Sequence, residues 1–272
     1  MNVANAIRTA TNKLLQTSDT ARLDAELLMA HALGLTRSDM LVRAMRDPAP
    51  ENYTDLVERR ATHEPVAHII GSQEFFGRAF RVTPDTLIPR GDSEILVEAA
   101  LELRLDASRV LDLGTGTGAL LLSVLAETGA TGIGTDKNAK ALDVAMYNAK
   151  RLHLADRADL RLLDWHSEGW ATGIGQFDLV LCNPPYVEAD AVLDPDVDEY
   201  EPHSALYAGT EGLDDYRTLF PQLRALMAEK GVAILEIGHE QADAVRAIAT
   251  SEGFAVELRR DLANRPRALV LT

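Results

Sequence analysis

The chain of 272 residues has one cysteine, Cys182. No intrachain disulfide can form, and a reducing, cytoplasmic setting is expected. No apolar run approaches the roughly 18 residues that cross a bilayer, so no membrane association is expected. A secretory pattern is also missing: Arg8 and Lys13 interrupt the N-terminus, and no long apolar stretch follows. Basic residues are few beside acidic ones, 27 Lys/Arg against 42 Asp/Glu, for a net charge of −15. Residues 1–70 carry 8 Lys/Arg and 9 Asp/Glu, so nearly all of the excess lies beyond them. Binding to a phosphate backbone draws on Lys/Arg contacts, which counts against DNA or RNA as a direct partner. The seven histidines have no metal-ligand spacing; His63 and His68 stand either side of Pro65 with no cysteine cluster nearby. No metal is expected. Internal repeats and low-complexity tracts are absent too. With 46% hydrophobic and 25% charged residues, the chain reads as an ordinary globular protein.

What is present falls into three stretches. Residues 1–64 read as helices. Apolar residues recur at helical spacing through Leu23, Leu27, Ala30 and Leu33, and Gly34 suits a C-cap. Thr36 or Ser38 can cap a short helix that Pro48 and Pro50 end, and a further helix is predicted over about 51–64. Around Gly77, two short strands form a hairpin. From Pro84 onward, strands alternate with helices. Strands are predicted at 109–113, 131–135, 158–163, 177–182, 231–237, 255–260 and 267–272; helices lie near 93–105, 118–128, 138–153, 214–229 and 239–252. That alternation predicts an α/β fold with an open, mostly parallel sheet. The short link between the last two strands suits an antiparallel pair. The domains expected are 1–70 (helical), 71–83 (hairpin linker) and 84–272.

Two motifs carry chemistry. The first is Gly114-Thr115-Gly116-Thr117-Gly118, after strand 109–113 and at the start of a helix. Glycines there let the backbone approach a ligand closely. The spacing is G-x-G-x-G, not the dinucleotide fingerprint. Asp136 ends the next strand, where an acidic group can accept hydrogen bonds from ribose hydroxyls; it can equally cap the following helix. Asp164 and Trp165 end the strand after that. They can meet an adenine amino group and ring, or form a surface turn with a core tryptophan.

The second motif is Asn183-Pro184-Pro185-Tyr186, after the apolar strand 177–182. An amide or aromatic amine nitrogen is a poor nucleophile because its lone pair is delocalised. The Asn183 side-chain oxygen and the following proline carbonyl can each accept a hydrogen bond from such an NH2 group. Proline fixes its own φ and has no N–H, so the turn is stiff and offers acceptors. Two fixed acceptors orient the nitrogen and stabilise the positive charge that grows on it. Tyr186 can supply an aromatic wall. Together the two motifs imply methyl transfer from S-adenosylmethionine (SAM) to a planar, amide-like nitrogen. Such a displacement depends mainly on proximity and alignment, so no nucleophile–base pair is required. Cys182 has no evident base beside it and reads as a small buried hydrophobe. The acidic stretch from Asp190 to Glu201 contains no Lys or Arg. It reads either as a solvated run or as a lid or contact for a basic partner loop.

Further segments give the chain a family resemblance. They are Glu64-Pro65 with His68-Ile69-Ile70-Gly71, Phe75-Phe76-Gly77 with Phe80, Leu87-Ile88-Pro89-Arg90, Glu201-Pro202-His203-Ser204-Ala205-Leu206, Gly212-Leu213-Asp214, and Glu236-Ile237-Gly238 with Gln241. With the two motifs, they make the chain resemble the bacterial release-factor glutamine methyltransferases over nearly its whole length. The resemblance implies a helical substrate-recognition domain, a hairpin linker and a Rossmann-like, SAM-dependent methyltransferase domain with a seven-stranded, mostly parallel sheet. It implies methylation of the glutamine side chain in the Gly-Gly-Gln loop of class I peptide release factors by a monomeric enzyme. It also implies SAM contacts from Gly114, Thr115, Gly116, Thr117, Gly118, Asp136, Trp165 and Asn183, and a substrate site at Asn183 to Tyr186. One departure is Gly91-Asp92-Ser93-Glu94, where the family usually has proline first. Competing readings are a sister enzyme acting on a ribosomal-protein glutamine, a methyltransferase for nucleic-acid amines, and a non-catalytic SAM-binding regulator.

Overall fold

The computed structural model describes all 272 residues and divides into two units. The first comprises Met1–Ser72 together with Leu193–Glu201. Helix α1 (Val3–Leu14) is capped by Asn2, whose side chain accepts from the Asn5 N–H. Helix α2 (Ala21–Leu33) ends at Gly34 in the left-handed region, as expected for a C-cap glycine. Thr36 caps the single turn α3 (Arg37–Asp39), which continues as a π-turn over Met40–Ala44. The predicted helix over 51–64 is shorter: α4 spans Tyr53–Ala61 and a separate α5 spans Val66–Ile70. Pro65 is the cause, because the residue before a proline is pushed out of the helical region. Val3, Ile7, Leu14, Leu28, Met29 and Met40 are fully buried between these helices. Arg60 is buried with them and donates to Asp24 at 2.7 Å, while Ser18 and Thr20 donate to the same carboxylate. Those donors offset the cost of burying the charges.

The second unit spans Gln73–Val192 and Pro202–Thr272. Strands β1 (Ser72–Phe75) and β2 (Arg78–Arg81) form the hairpin. Its two turn residues, Phe76 and Gly77, both have positive φ, the form that matches strand twist. After α6 (Glu94–Arg104) come β3 (Arg109–Leu113), α7 (Ala119–Glu127), β4 (Thr131–Asp136), α8 (Ala139–Arg151), β5 (Ala158–Leu162) and β6 (Phe177–Cys182). The short α9 (Pro195–Asp198) lies in the segment that packs with the helical unit: Asp196 faces Arg60, and the Tyr200 hydroxyl donates to the Thr62 carbonyl at 2.7 Å. The acidic stretch expected within 84–272 is thus in part an anchored strap. The chain finishes with α10 (Asp214–Leu226), β7 (Met227–Glu236), α11 (Ala242–Ser251), β8 (Val256–Arg260) and β9 (Pro266–Leu271).

The seven strands run in the order β5-β4-β3-β6-β7-β9-β8, parallel except for β9, which is antiparallel to both neighbours. Apolar layers cover both faces. One packs α6 and α7 on the sheet through residues such as Leu96, Leu121 and Leu125; the other uses Tyr216, Phe220, Leu223 and Val245 of α10 and α11. Strand β7 begins at Met227, inside the predicted helix 214–229, because the Met227 side chain is buried and pairs in register with Phe177.

Candidate active site

Register places the motifs side by side. Leu113 pairs with Cys182 across β3 and β6, and with Thr135 across β3 and β4. The glycine loop, the Asn-Pro-Pro-Tyr turn and Asp136 therefore leave three adjacent strand ends at the same edge. The strand order reverses there, and open α/β sheets form ligand crevices outside such a point. A cavity of about 870 Å³, its open mouth included, lies at this place. Gly114, Thr115, Gly116, Thr117, Asp136, Trp165, Asn183 and Pro185 all line it.

The glycine loop is held from below. Thr115 N–H donates to the Thr135 carbonyl at 2.7 Å, and its hydroxyl donates to buried Asp112 at 2.7 Å. Burial pushes the Asp112 carboxyl up to about 7, and the nearby Asp136 charge adds to this. Gly116 N–H donates to Asp136 Oδ2 and Asn138 N–H to Oδ1, both at 2.9 Å. Burial also raises the Asp136 carboxyl, although these backbone donors oppose it. The α8 cap is Asn138, whose side chain accepts from Lys140, so Asp136 is not the capping residue. Gly118 opens α7 beneath the loop and does not line the cavity. Buried Asn148 of α8 donates to the carbonyls of Thr117 and Arg81 and accepts from Arg81 N–H, tying the hairpin to the loop.

Gly114 has a φ of +73°, and a Cβ added there would come within 3.0 Å of the Trp165 ring. Glycine is required on both counts. The Trp165 indole is buried and donates to Asp215 of α10 at 2.6 Å, which fixes the ring as one wall of the cavity. Asp164 does not line the cavity. Its carboxylate accepts from His166 N–H in a local turn.

The tetrapeptide is clamped from behind. Tyr186 is placed differently from the aromatic wall expected: it packs against the α10-side core, and its hydroxyl donates to Glu236 at 3.1 Å. The Tyr186 carbonyl accepts from Gln241 Nε2 at 3.0 Å. Gly212 presses on the same carbonyl; a Cβ there would lie 2.2 Å from the Tyr186 oxygen, at a φ of +64°. Burial raises the Tyr186 phenol well above its ordinary range, so it stays protonated. Cys182 is fully buried and its thiol is pushed well up, consistent with an inert core residue. Pro184 is buried and outside the cavity lining.

The departure at Gly91 leaves this frame intact. A Cβ at Gly91 would meet open space. The next three residues each hold an anchor: Asp92 pairs with Arg267 at 2.8 Å, Ser93 donates to Glu236, and Glu94 accepts from Phe76 N–H at 2.8 Å. Asp112, Ser93 and Glu236 received no role from the sequence. For Glu236 the signal was available: a carboxylate at the end of an apolar strand whose neighbours are fully buried.

The sheet order and the loops at its switch point place the second unit in the Rossmann-like fold class of SAM-dependent methyltransferases. Residues 91–198 match the methyltransferase small domain model, and residues 5–71 match the PrmC N-terminal domain model. The ribosomal protein L11 methylase structure from Lactobacillus delbrueckii subsp. bulgaricus shares the fold, with a TM-score of 0.50 and 19% identity over 68% of this chain and 80% of that one. Two curated proteins named release factor glutamine methyltransferase are far nearer in sequence. That of Cereibacter sphaeroides is 41% identical over 98% of this chain and 97% of its own length. That of Burkholderia pseudomallei is 40% identical, covering 98% of each. The chain belongs to the release factor glutamine methyltransferase family.

Proposed function

We propose that this chain transfers a methyl group from SAM to the side-chain amide nitrogen of the glutamine in the Gly-Gly-Gln loop of class I peptide release factors. The observation that carries this reading is the cavity shared by the glycine loop, Asp136 and Asn183. A cofactor site and an amide acceptor therefore face one space. The residues fit SAM: the backbone at Gly114 and Gly116 leaves room for close approach, Trp165 is a fixed flat wall, and Asp136 offers lone pairs at the strand end. Asp136 would hold the ribose hydroxyls, the Gly114–Gly118 backbone would follow the cofactor chain, and Trp165 would flank its ring. Bound there, SAM would supply an electrophilic methyl carbon: as the C–N bond forms the S–CH3 bond breaks, S-adenosylhomocysteine leaves as a neutral thioether, and the alkylated nitrogen gives up one proton to solvent.

The rest of the work belongs to the protein. Asn183 Oδ1 accepts from one substrate N–H at the cavity wall, a carbonyl of the proline turn would accept from the other, and together they turn the nitrogen toward the methyl carbon. Their partial negative charge stabilises the positive charge developing on that nitrogen. Alignment of nitrogen and methyl carbon supplies the remainder. The release factor is favoured over a ribosomal protein by the match of residues 5–71 to the PrmC N-terminal domain and by the names of the relatives. Incubation with labelled SAM and purified release factor, ribosomal proteins and DNA in parallel tests it. Label in the release factor alone is expected; label only in ribosomal protein or DNA would overturn the assignment.

A further inference from the structure

Glu236 lies at the C-terminal end of β7, 1% exposed, and its carboxylate is linked to the tetrapeptide at both ends, directly to Tyr186 and through Ser93 to Asn183. One oxygen accepts from the Tyr186 hydroxyl at 3.1 Å. The other accepts from the Ser93 hydroxyl, and Ser93 Oγ lies 3.5 Å from Asn183 Nδ2. Even the Glu236 main chain takes part, because its carbonyl accepts from Tyr216 at 2.8 Å. Arg267 is buried close by and is paired with Asp92, which precedes Ser93.

We propose that Glu236 is a positioning residue for methyl transfer: it sets the direction of a Glu236–Ser93–Asn183 hydrogen-bond chain and so turns the Asn183 carbonyl oxygen toward the substrate. This rests on the reading of Asn183 as the acceptor for the substrate amide. An ionised carboxylate only accepts, whereas a serine hydroxyl has one proton and two lone pairs. With its proton committed to Glu236, Ser93 can offer Asn183 only a lone pair. Asn183 must answer with its NH2 end. Its Oδ1 then faces the cavity that Asn183 lines. The reverse direction would present NH2 to the substrate NH2, and two donors would meet. The 3.5 Å spacing is at the long limit of a hydrogen bond, as is common in active sites before substrate is in place. Burial raises the Glu236 carboxyl above its ordinary value and the charge of Asp92 adds to this, while Ser93, Arg267 and Tyr186 act the other way; the geometry has both hydroxyls donating to the carboxylate. The same carboxylate fixes Tyr186, so one buried group holds both ends of the turn.

The test compares full-length wild-type enzyme with Glu236→Gln, Ser93→Ala and the double variant. The first readout is the Asn183 side-chain NH2 signal in a 15N–1H correlation spectrum, assigned by its loss in Asn183→Ala. Both single variants should shift it. The second readout is kinetic. Each single variant should lower kcat by about tenfold or more while KM for SAM changes less than about twofold, the split expected of a group acting only on transition-state alignment. Because both variants break one chain, the double variant should be no more than about twofold worse than the poorer single. An Asn183 signal unmoved in both variants, or losses that multiply independently, would overturn the proposal. If wild-type enzyme methylates no release factor, the functional reading fails and the NMR signal alone decides for or against the chain.

Discussion

In the proposed mechanism Asn183 has two duties at one atom, since its side-chain oxygen must be both free and correctly aimed. Asn183→Ala removes that acceptor but leaves the glycine loop and Asp136 in place. SAM affinity by calorimetry should stay near wild type, and single-turnover methylation should fall by at least roughly two orders of magnitude, the scale of one preorganised transition-state contact. Near-normal turnover would remove the proposed mechanism. Asp112 predicts a different behaviour. Its carboxyl is raised from 3.8 to about 7 by burial, so the folded protein holds this proton more tightly than the unfolded chain. The stability it contributes is therefore complete below about pH 4 and is lost as pH rises through about 7. Asp112→Asn can still accept from Thr115 but never ionises. Its Tm relative to wild type should be higher at pH 8 than at pH 5. A difference independent of pH would show that Asp112 titrates normally.

The elements around the site differ in how far the sequence revealed them. Strands β3 and β6 were legible because short, mostly apolar runs from Val110 and from Phe177, interrupted only by Asp112 and Asp178, ended in motifs. The glycine loop and Asp136 followed from them, and register then brought the three strand ends together. Tyr186 was misplaced because a loop has no periodicity to say which way a side chain turns. The pairing of Ser93 with Glu236 was silent because it spans 143 residues of sequence, although Glu236 alone stood out as a carboxylate ending an apolar strand. Met227 joined a strand rather than a helix because a tertiary partner, Phe177, outweighed local propensity. The loop between Leu206 and α10 gives a test at this scale. Gly212→Ala would drive a methyl group into the Tyr186 carbonyl and strain a positive φ. It should cost about 1–3 kcal/mol of stability, the range for overpacking. Turnover should drop with it, because the displaced carbonyl belongs to the turn proposed to hold the substrate amide. Unchanged stability and turnover would mean that the turn yields freely.

At the scale of the molecule, the chain builds its second unit from two pieces, and the strap between them packs with the helical unit. Asp196 and Tyr200 of that strap hold to Arg60 and Thr62. The residues on either side of it, Tyr186 and Pro202 onward, belong to the turn and the cavity. A single glutamine offers little surface, whereas protein partners bury roughly 800 Å² each. The helical unit is the expected docking element for the protein substrate. A fragment starting at Gln73 should bind SAM almost normally, lose most activity on intact release factor, and lose much less on a short Gly-Gly-Gln peptide. Equal kinetics for fragment and full-length enzyme on intact release factor would reduce the helical unit to a stabilising role.

The central claim is that a glutamine side chain is the acceptor, and mass spectrometry of the Gly-Gly-Gln peptide from release factor treated with enzyme and SAM tests it most directly. The account predicts one added methyl group on the glutamine side chain after treatment with wild-type enzyme and almost none with Asn183→Ala. An unmodified glutamine under conditions where the enzyme consumes SAM, or a methyl group on another residue, would contradict it.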